Sequence, residues 1–326
     1  MLITAALLYF LAVTPRPDSL PDQLPYLEYF RVTNWDWVVN YFHHGKSALN
    51  TAVGTTTDEL GWRLWIIIVN SLGFTPEEGI RVTIVVLNAL VACSLSRLNR
   101  PLLGLLLWMI IPSALAIVGL FQIRQGFAFS VAMLFAINFR RPILGALIAN
   151  TIHTTFAVPA VLLIAARMFG PKPKFSLPAV GLTGILMACA GSALFKDFGC
   201  RRVSTFAGYQ DDFTARLLIL VITYGIASAI MLYTLKPNEN RRTDSLRELA
   251  PMHLGLIVYL IAAFVVFPMG KDRVFYYVSL MLPYFVQTIR VRTPASLRFL
   301  TVLVVTMGSE AVLASLKGAY DVLMNY

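Results

Sequence analysis

The sequence predicts an all-α fold: a polytopic helical bundle embedded in a membrane, with about eleven transmembrane helices and an outer loop region that holds a re-entrant helix. Hydrophobic residues make up 57% of the 326 positions and charged residues only 13%, and the mean hydropathy is +0.70. One water-soluble domain cannot bury that much apolar surface, so the bilayer must be the solvent. We expect a single membrane domain over residues 1–326, with residues 15–78 as an outer cap and re-entrant segment.

The charge and the cysteines exclude several other classes. The net charge of +10 does not indicate a nucleic-acid site, because the basic residues fall in short clusters between apolar runs. Cys93, Cys189 and Cys200 are scattered, which predicts packing residues rather than a disulfide framework or a metal cluster. The sequence therefore predicts no nucleic-acid partner, no metal and no cofactor.

Ten apolar runs are the candidate membrane segments, and most are close to the ~20 residues that a helix needs to cross the hydrocarbon. They cover residues 1–14, 79–96, 101–121, 123–139, 142–169, 176–195, 213–235, 251–269, 273–289 and 296–316. The run 142–169 is too long for one span and is polar at its middle, which predicts a hairpin of two short helices. The segment "WRLWIIIVNSLGF" is too short to cross, which predicts an interfacial or re-entrant helix. The first run is expected to be a retained span, because no small-residue cleavage site follows Thr14.

The basic clusters set the predicted orientation. Five linkers hold 14 of the 27 lysines and arginines: residues 97–100, 140–141, 167–174, 236–247 and 290–298. Short loops rich in Lys and Arg stay in the cytoplasm. We therefore expect the amino terminus inside and the carboxyl terminus outside.

This topology brings polar residues from four segments to the outer membrane boundary: Arg124, the turn with His153, Arg273 in "GKDRVFYY" and the acids of "TTTDELGW". A single arginine at that depth can simply snorkel to the headgroups. Several outer arginines together suit a lipid-linked pyrophosphate, because guanidinium groups bind phosphate oxygens in bidentate fashion and keep their charge. These are Arg63, Arg81, Arg124, Arg201, Arg202 and Arg273.

Two stretches form a pair of motifs. "IRQGFAFSVAMLFAI" opens a membrane helix with Arg-Gln-Gly, and "ALIANTIHTTFAVPAVLL" follows with an alanine, a histidine and small hydroxyl residues. This pair resembles the signature of EpsG-like bacterial polysaccharide polymerases, the Wzy-like enzymes of O-antigen or exopolysaccharide synthesis. "LPDQLPYLEYF", "DELGWRLWIIIVNSLGF" and "DRVFYYVSLMLPYF" are similar to further segments of that family, in the same order. Leu60 stands where the family usually has proline.

The resemblance implies a glycosyl transfer at the periplasmic face of the inner membrane. A growing glycan on undecaprenyl pyrophosphate is transferred to the next lipid-linked repeat unit, and a chain-length regulator is an implied partner. For that step we expect Arg124 and Arg273 to stabilise the leaving pyrophosphate. His153 is expected to be a base or an orienting group, with Glu59 or Asp58 as the competing base.

Further substrate contacts are predicted for the outer polar and aromatic residues Asp22, Tyr26, Asp58, Arg63, Arg81, Gln125, Arg201, Arg202, Tyr276, Tyr277 and Glu310. Other roles stay open for some of them. His153 can merely satisfy the hydrogen bonds of polar groups at a helix end. Tyr276 and Tyr277 can belong to an interfacial aromatic belt. Glu310 can serve a helix contact instead of a substrate.

His43, His44 and His253 are expected to be solvated or interfacial. The loop 196–213 is either a solvated loop or an acceptor-binding lid.

Three other functions are possible alternatives to a polymerase. An O-antigen ligase would differ from a polymerase only in its acceptor. A flippase or transporter of lipid-linked oligosaccharides usually has internal repeats, which this sequence lacks. A membrane acyltransferase would also use an intramembrane histidine, but it would leave the Arg-Gln-Gly motif without a purpose.

Overall fold

The computed structural model describes residues 23–43, 54–56, 58–169, 173–198, 215–234, 244–266 and 271–286, together with positions 294, 298, 305, 308 and 310. Every regular element in these ranges is helical, which confirms the predicted all-α class. The first apolar run, 1–14, lies outside the described residues, and so does most of the loop 196–213.

Three short helices lie in the region predicted to be the cap, and the name is kept for them below: α1 (Gln23–Val32), α2 (Trp35–His43) and α3 (Leu60–Ser71). Asn34 begins α2 by accepting a hydrogen bond from the backbone N–H of Trp37 at 2.9 Å. Helix α3 has 12 residues and so reaches only ~18 Å, which is too short to cross the hydrocarbon. That length agrees with the predicted interfacial or re-entrant helix.

The buried Trp62 joins the cap to the bundle. Its ring makes edge contacts with Tyr26 and Phe30 of α1 and with Phe127, at centroid distances of 6.0, 6.1 and 6.5 Å. Aromatic rings prefer this geometry and bury a large apolar area. These rings are part of the core that the described helices share.

Helix α4 (Pro76–Ser96) begins with a capping box, in which Thr75 and Glu78 bond each other's backbone N–H groups. The next run, 101–121, was expected to be one crossing, and in the structure it is a broken helix. It forms α5 (Pro101–Ile110) and a π-helical segment (Ser113–Phe121), bent by 73° relative to each other. Pro112 lies at the bend, where its missing N–H and its ring interrupt the helix.

The following elements are α6 (Ile123–Ile137), α7 (Pro142–Ile152), a 3₁₀ turn (Thr154–Phe156) and α8 (Ala157–Met168). The run 142–169 is therefore two short helices with a break at His153, as the polar residues at its middle predicted. Helix α6 packs against both α4 and α7. This places the amino-terminal turn of α6 close to the break.

The carboxyl-terminal half contains α9 (Pro173–Phe198), α10 (Ala215–Thr234), α11 (Asp244–Val266), α12 (Lys271–Leu280) and α13 (Leu282–Phe285). Helix α11 packs against α8, α9, α10 and α12. The predicted run 273–289 is interrupted at Met281, just before Pro283.

Two helices within the described ranges are long and apolar enough to cross a membrane alone, Pro76–Ser96 and Glu248–Val266. The bent pair 101–121 adds a third if it is one span. Several apolar helices are shorter, among them α6, whose 15 residues reach ~22 Å. The count of eleven crossings stays a prediction.

Candidate active site

The buried carboxylate of Glu59 contacts both Arg124 and His153, two of the polar residues predicted to lie together. Its side chain is 2% exposed, and its backbone is left-handed, with φ 54° and ψ 52°. A non-glycine residue in this conformation is uncommon and is typical of functional sites. A hydrogen bond from Asp58 N to Gly54 O at 2.8 Å closes the turn. The turn thus forms although position 60 is leucine and not the proline that is usual in the similar family.

Arg124, in the first turn of α6, forms an ion pair with Glu59 through its Nη1 atom. Its guanidinium carbon also lies 5.3 Å from the ring centroid of Tyr26 and 5.0 Å from that of Tyr29. An arginine that only snorkels would extend into the headgroups, whereas this side chain is 14% exposed. Arg124 is therefore held in the protein by a carboxylate and two aromatic rings.

His153 lies at the break between α7 and the 3₁₀ turn, and its ring is buried. Its Nδ1 lies 2.8 Å from Glu59 Oε1. Because a carboxylate only accepts hydrogen bonds, Nδ1 carries the proton and Nε2 is the nitrogen left for a ligand. The partner is a carboxylate, unlike the hydroxyl or carbonyl groups that an ordinary helix end would supply.

Two glycines allow these elements to approach. A Cβ at Gly126, the glycine of the Arg-Gln-Gly motif, would collide with the carbonyl oxygen of Val118 in the π-helical segment. A Cβ at Gly61 would collide with Thr151 Oγ1, two residues before His153. Glycine therefore allows α6 to pack closely on the π-helical segment and α3 to pack closely on the end of α7.

A cavity of about 130 Å³ lies beside this cluster and is lined by Pro25, Tyr26, Gln122, Arg124, Gln125, His153 and Arg273. Two of these residues carry a permanent positive charge, and none of the lining residues is a carboxylate. The cavity has room for a polar group larger than one water, which needs only roughly 10–15 Å³. Its charge favours an anion. Within the described ranges, no group of three or more His, Cys, Asp or Glu side chains is placed to hold a metal ion.

Arg273, in the first turn of α12, is joined to α6 through its backbone. Gln125 Nε2 donates a hydrogen bond to the carbonyl oxygen of Arg273. Arg124 and Arg273, the two arginines predicted to bind the pyrophosphate, are thus on helices that contact each other through Gln125. The structure brings them to one cavity although they are far apart in the sequence.

Some predicted substrate-binding residues have other partners. Arg63 stacks on Tyr29 and Trp37, 4.3 and 4.7 Å from their ring centroids, and donates to Thr33 Oγ1. It therefore joins α3 to α1 and α2. Arg81, on α4, does not line the cavity.

Asp58 lies against Tyr41 of the cap. Burial and this carboxylate together raise the pKa of Tyr41 to about 12. Asp58 does not line the cavity either. Its observed contact is with the cap helix α2.

The predicted contacts in the carboxyl-terminal half also lie outside the cavity lining. The hydroxyls of Tyr277 and Thr155 share a hydrogen bond of 2.9 Å, which supports the histidine turn from α12. Tyr276 packs against the core. Glu310 accepts hydrogen bonds from Ser113 N at 2.9 Å and from the Tyr224 hydroxyl.

Other predictions have different outcomes. Asp22, Arg201 and Arg202 lie outside the described residues, so their roles stay predictions. His253 was expected to be solvated or interfacial, and this is wrong: its ring is fully buried and lies 5.1 Å from that of Phe285. The apolar residues around it on α11 carry it into the helix bundle.

Sequence reasoning missed two residues that line the cavity, Pro25 and Gln122. Pro25 directly precedes Tyr26, and Gln122 lies two positions before Arg124. Their nearness to the motifs was the available signal. Neither residue type carries a charge that would have marked it.

The model of the EpsG family matches residues 22–326. No match is found among curated proteins or among solved structures. The family match includes every described element, from the cap helices with Tyr26 to the helix with Arg273. The chain belongs to the EpsG family, whose role is polysaccharide polymerase-like.

Proposed function

We propose that this protein is a metal-independent polysaccharide polymerase of the bacterial inner membrane. It transfers a growing glycan from undecaprenyl pyrophosphate to the next lipid-linked repeat unit at the periplasmic face. One observation carries the proposal: a single buried carboxylate, Glu59, contacts both Arg124 and His153 beside a cavity that Arg273 also lines. Membership in the EpsG family supports the same class of reaction.

The two arginines act on the leaving group. When the bond between the anomeric carbon and the phosphate oxygen breaks, negative charge develops on the pyrophosphate. Fixed cations next to it therefore stabilise the transition state more than the ground state. Arg124 uses Nη1 for Glu59, so the edge formed by Nε and Nη2 is the one that binds phosphate oxygens in bidentate fashion.

His153 acts on the acceptor. Its Nε2 accepts the proton of the attacking hydroxyl while the hydroxyl oxygen forms the new bond to the anomeric carbon. The products are the lengthened glycan on the acceptor lipid and free undecaprenyl pyrophosphate, and the proton then passes from the imidazole to water. The Glu59 carboxylate at Nδ1 stabilises the imidazolium that forms.

Glu59 is a positioning residue in this mechanism and not the base. Its Oε2 binds Arg124, and its Oε1 binds His153 and lies 3.4 Å from both N and Oγ1 of Thr154. Neither Glu59 nor Asp58 lines the cavity. The proposal therefore assigns the base to His153 rather than to either carboxylate.

The periplasmic location requires a defined topology, with eleven crossings and the amino terminus inside. It can be tested across α4, a helix long enough to span. In a variant without the native cysteines, Ser71→Cys and Asn99→Cys place exposed thiols before and after this helix. An impermeant maleimide added outside should label position 71 and miss position 99. Labelling of both from one side, or of position 99 alone, would contradict the orientation.

The function itself is tested with the full chain in proteoliposomes and a purified undecaprenyl-pyrophosphate-linked repeat unit. A ladder of glycan lengths, unchanged by EDTA, is the expected product. Adding a chain-length regulator should narrow the ladder. Transfer only to a different lipid acceptor would indicate a ligase, and movement of the substrate across the bilayer without a new bond would indicate a flippase; either result would overturn the proposal.

A further inference from the structure

Two glutamines at the start of α6, Gln122 and Gln125, line the cavity beside the arginines. Gln125 is 1% exposed and Gln122 is half-buried, and both line the cavity. Gln125 Nε2 donates to the carbonyl oxygen of Arg273, and only the NH₂ end of an amide can make that bond. The bond therefore fixes which end of the Gln125 amide is left for other partners, namely Oε1.

The side-chain oxygens of both glutamines are buried, and neither has a hydrogen-bond partner among the described residues. Burying a carbonyl oxygen without a donor is unfavourable, and native proteins rarely leave such groups unpaired. Both oxygens belong to residues that line the same cavity, so a ligand that enters it and carries hydrogen-bond donors can pair them.

A pyrophosphate alone cannot supply those donors. Its oxygens are acceptors, and they match the opposite type of group in the cavity: Arg124 Nε, which is buried and has no partner among the described residues, and the guanidinium of Arg273. The cavity thus has a cationic donor part and a neutral acceptor part. A glycosyl pyrophosphate has the matching halves, because sugar hydroxyls and acetamido N–H groups donate hydrogen bonds.

We propose that the side-chain oxygens of Gln122 and Gln125 accept hydrogen bonds from hydroxyl or amide N–H groups on the sugar attached to the pyrophosphate. The two glutamines determine which first sugar is accepted, while the arginines bind the phosphates. This inference rests on the proposed function. It adds a role in sugar recognition for Gln122. For Gln125, it specifies that the side-chain oxygen is the atom that accepts a hydrogen bond from the sugar.

The test pairs variants with substrate analogues. The full chain in proteoliposomes is given the lipid-linked repeat unit and a series of analogues, each lacking one hydroxyl or acetamido group of the first sugar. Wild type should lose about 10-fold in rate on the analogue that lacks a bonded group. Gln122→Met, which keeps the volume but removes the oxygen, should lose about 10-fold on the natural substrate and nothing further on its matching analogue.

Controls separate this result from general damage. Asn138 lies just after the other end of α6 and also has a buried side-chain oxygen without a partner in the described part of the chain. Asn138→Leu should leave the ranking of analogues unchanged. Gln125→Glu keeps an acceptor oxygen but loses the bond to Arg273, so it should be slow on every analogue while keeping the wild-type ranking.

The outcomes also separate this inference from the proposed function. If wild type makes polymer but Gln122→Met loses the same factor on every analogue, or loses nothing, the sugar-reading role is wrong and the polymerase assignment stands. If wild type makes no polymer, the proposed function fails first. Rate losses in Gln122→Met that vanish on one analogue alone would support the inference.

Discussion

Two buried carboxylates have opposite surroundings. Glu59 has two ionisable partners, Arg124 and His153, and lies next to the polar cavity. Glu310 has neutral partners among the described residues, the Ser113 N–H and the Tyr224 hydroxyl, and it does not line the cavity. Ser113 in turn donates to Ser279 Oγ at 2.7 Å, so this second cluster joins the π-helical segment to α12.

The difference teaches that a carboxylate within a membrane domain is not by itself evidence for a catalytic role. Glu59 contacts a permanent cation and a group that can exchange protons, so under the proposed function its charge is expected to matter for the reaction. Glu310 accepts hydrogen bonds from a backbone N–H at the helix bend and from a buried hydroxyl, and these contacts suit a packing role. Substitutions by the uncharged isostere glutamine can test this contrast directly.

The largest effect is expected for Glu59→Gln. The change leaves Arg124 buried without its counter-charge, at a cost of about 3–5 kcal/mol in the free energy of unfolding. The amide also has only one acceptor oxygen, which cannot serve both Arg124 and the Nδ1–H of His153. Polymer synthesis should fall on the order of 10³-fold or more, measured as rate per folded protein in proteoliposomes. A Glu59→Gln protein that folds and keeps more than a tenth of the wild-type rate would contradict the positioning role.

His153→Asn should follow. Asparagine can place an NH₂ group near the position of Nδ1 and so keep the bond to Glu59, but it offers no basic nitrogen to the acceptor. Loss of a general base typically costs about 10²- to 10³-fold in rate. Glycan length on a gel, normalised to the level of protein in the membrane, gives the measurement. Activity close to wild type would show that His153 only orients the site.

Arg124→Lys and Arg273→Lys should each reduce the rate by about 10²-fold. Lysine keeps the positive charge but loses the fork that binds two phosphate oxygens. Arg140→Lys is the matched control, because this arginine is exposed and far from the cavity lining. Long polymer from a well-expressed Arg124→Lys, Arg273→Lys double variant would rule out bidentate binding of the pyrophosphate by these two arginines.

Local sequence signals predicted much of the fold. The apolar runs indicated the helices, and the polar residues at the middle of 142–169 indicated the break at His153. The bend at Pro112 was missed because hydropathy alone does not detect it, although a proline inside a helix interrupts the hydrogen bonding of the backbone. A proline near the middle of an apolar run was the feature of the sequence that could have predicted this bend.

The site was harder to predict because its partners are distant in the sequence. Motifs identified Arg124 and His153, but Glu59 lies 65 and 94 residues from them, so the carboxylate bridge could not be read from local spacing. The sequence also does not show which arginines line the cavity and which only join helices. Arg63 stacks on Tyr29 and Trp37, whereas Arg124 contacts the cavity, and only packing separates the two.

The smallest effect is expected for Glu310→Gln. The amide oxygen can still accept a hydrogen bond from Ser113 N or from Tyr224, so the free energy of unfolding should fall by only about 1–2 kcal/mol. The rate of polymer synthesis should stay within about 3-fold of wild type, because no cavity group changes its position or charge. Glu310→Leu is the matched comparison: it leaves both donors buried without an acceptor, so its melting temperature in detergent should be lower than that of the glutamine variant. If Glu310→Gln is instead as inactive as Glu59→Gln while equally well folded, the charge of Glu310 takes part in the reaction. The contrast between the two carboxylates would then be lost, and the substrate-binding role predicted for Glu310 from the sequence would be restored.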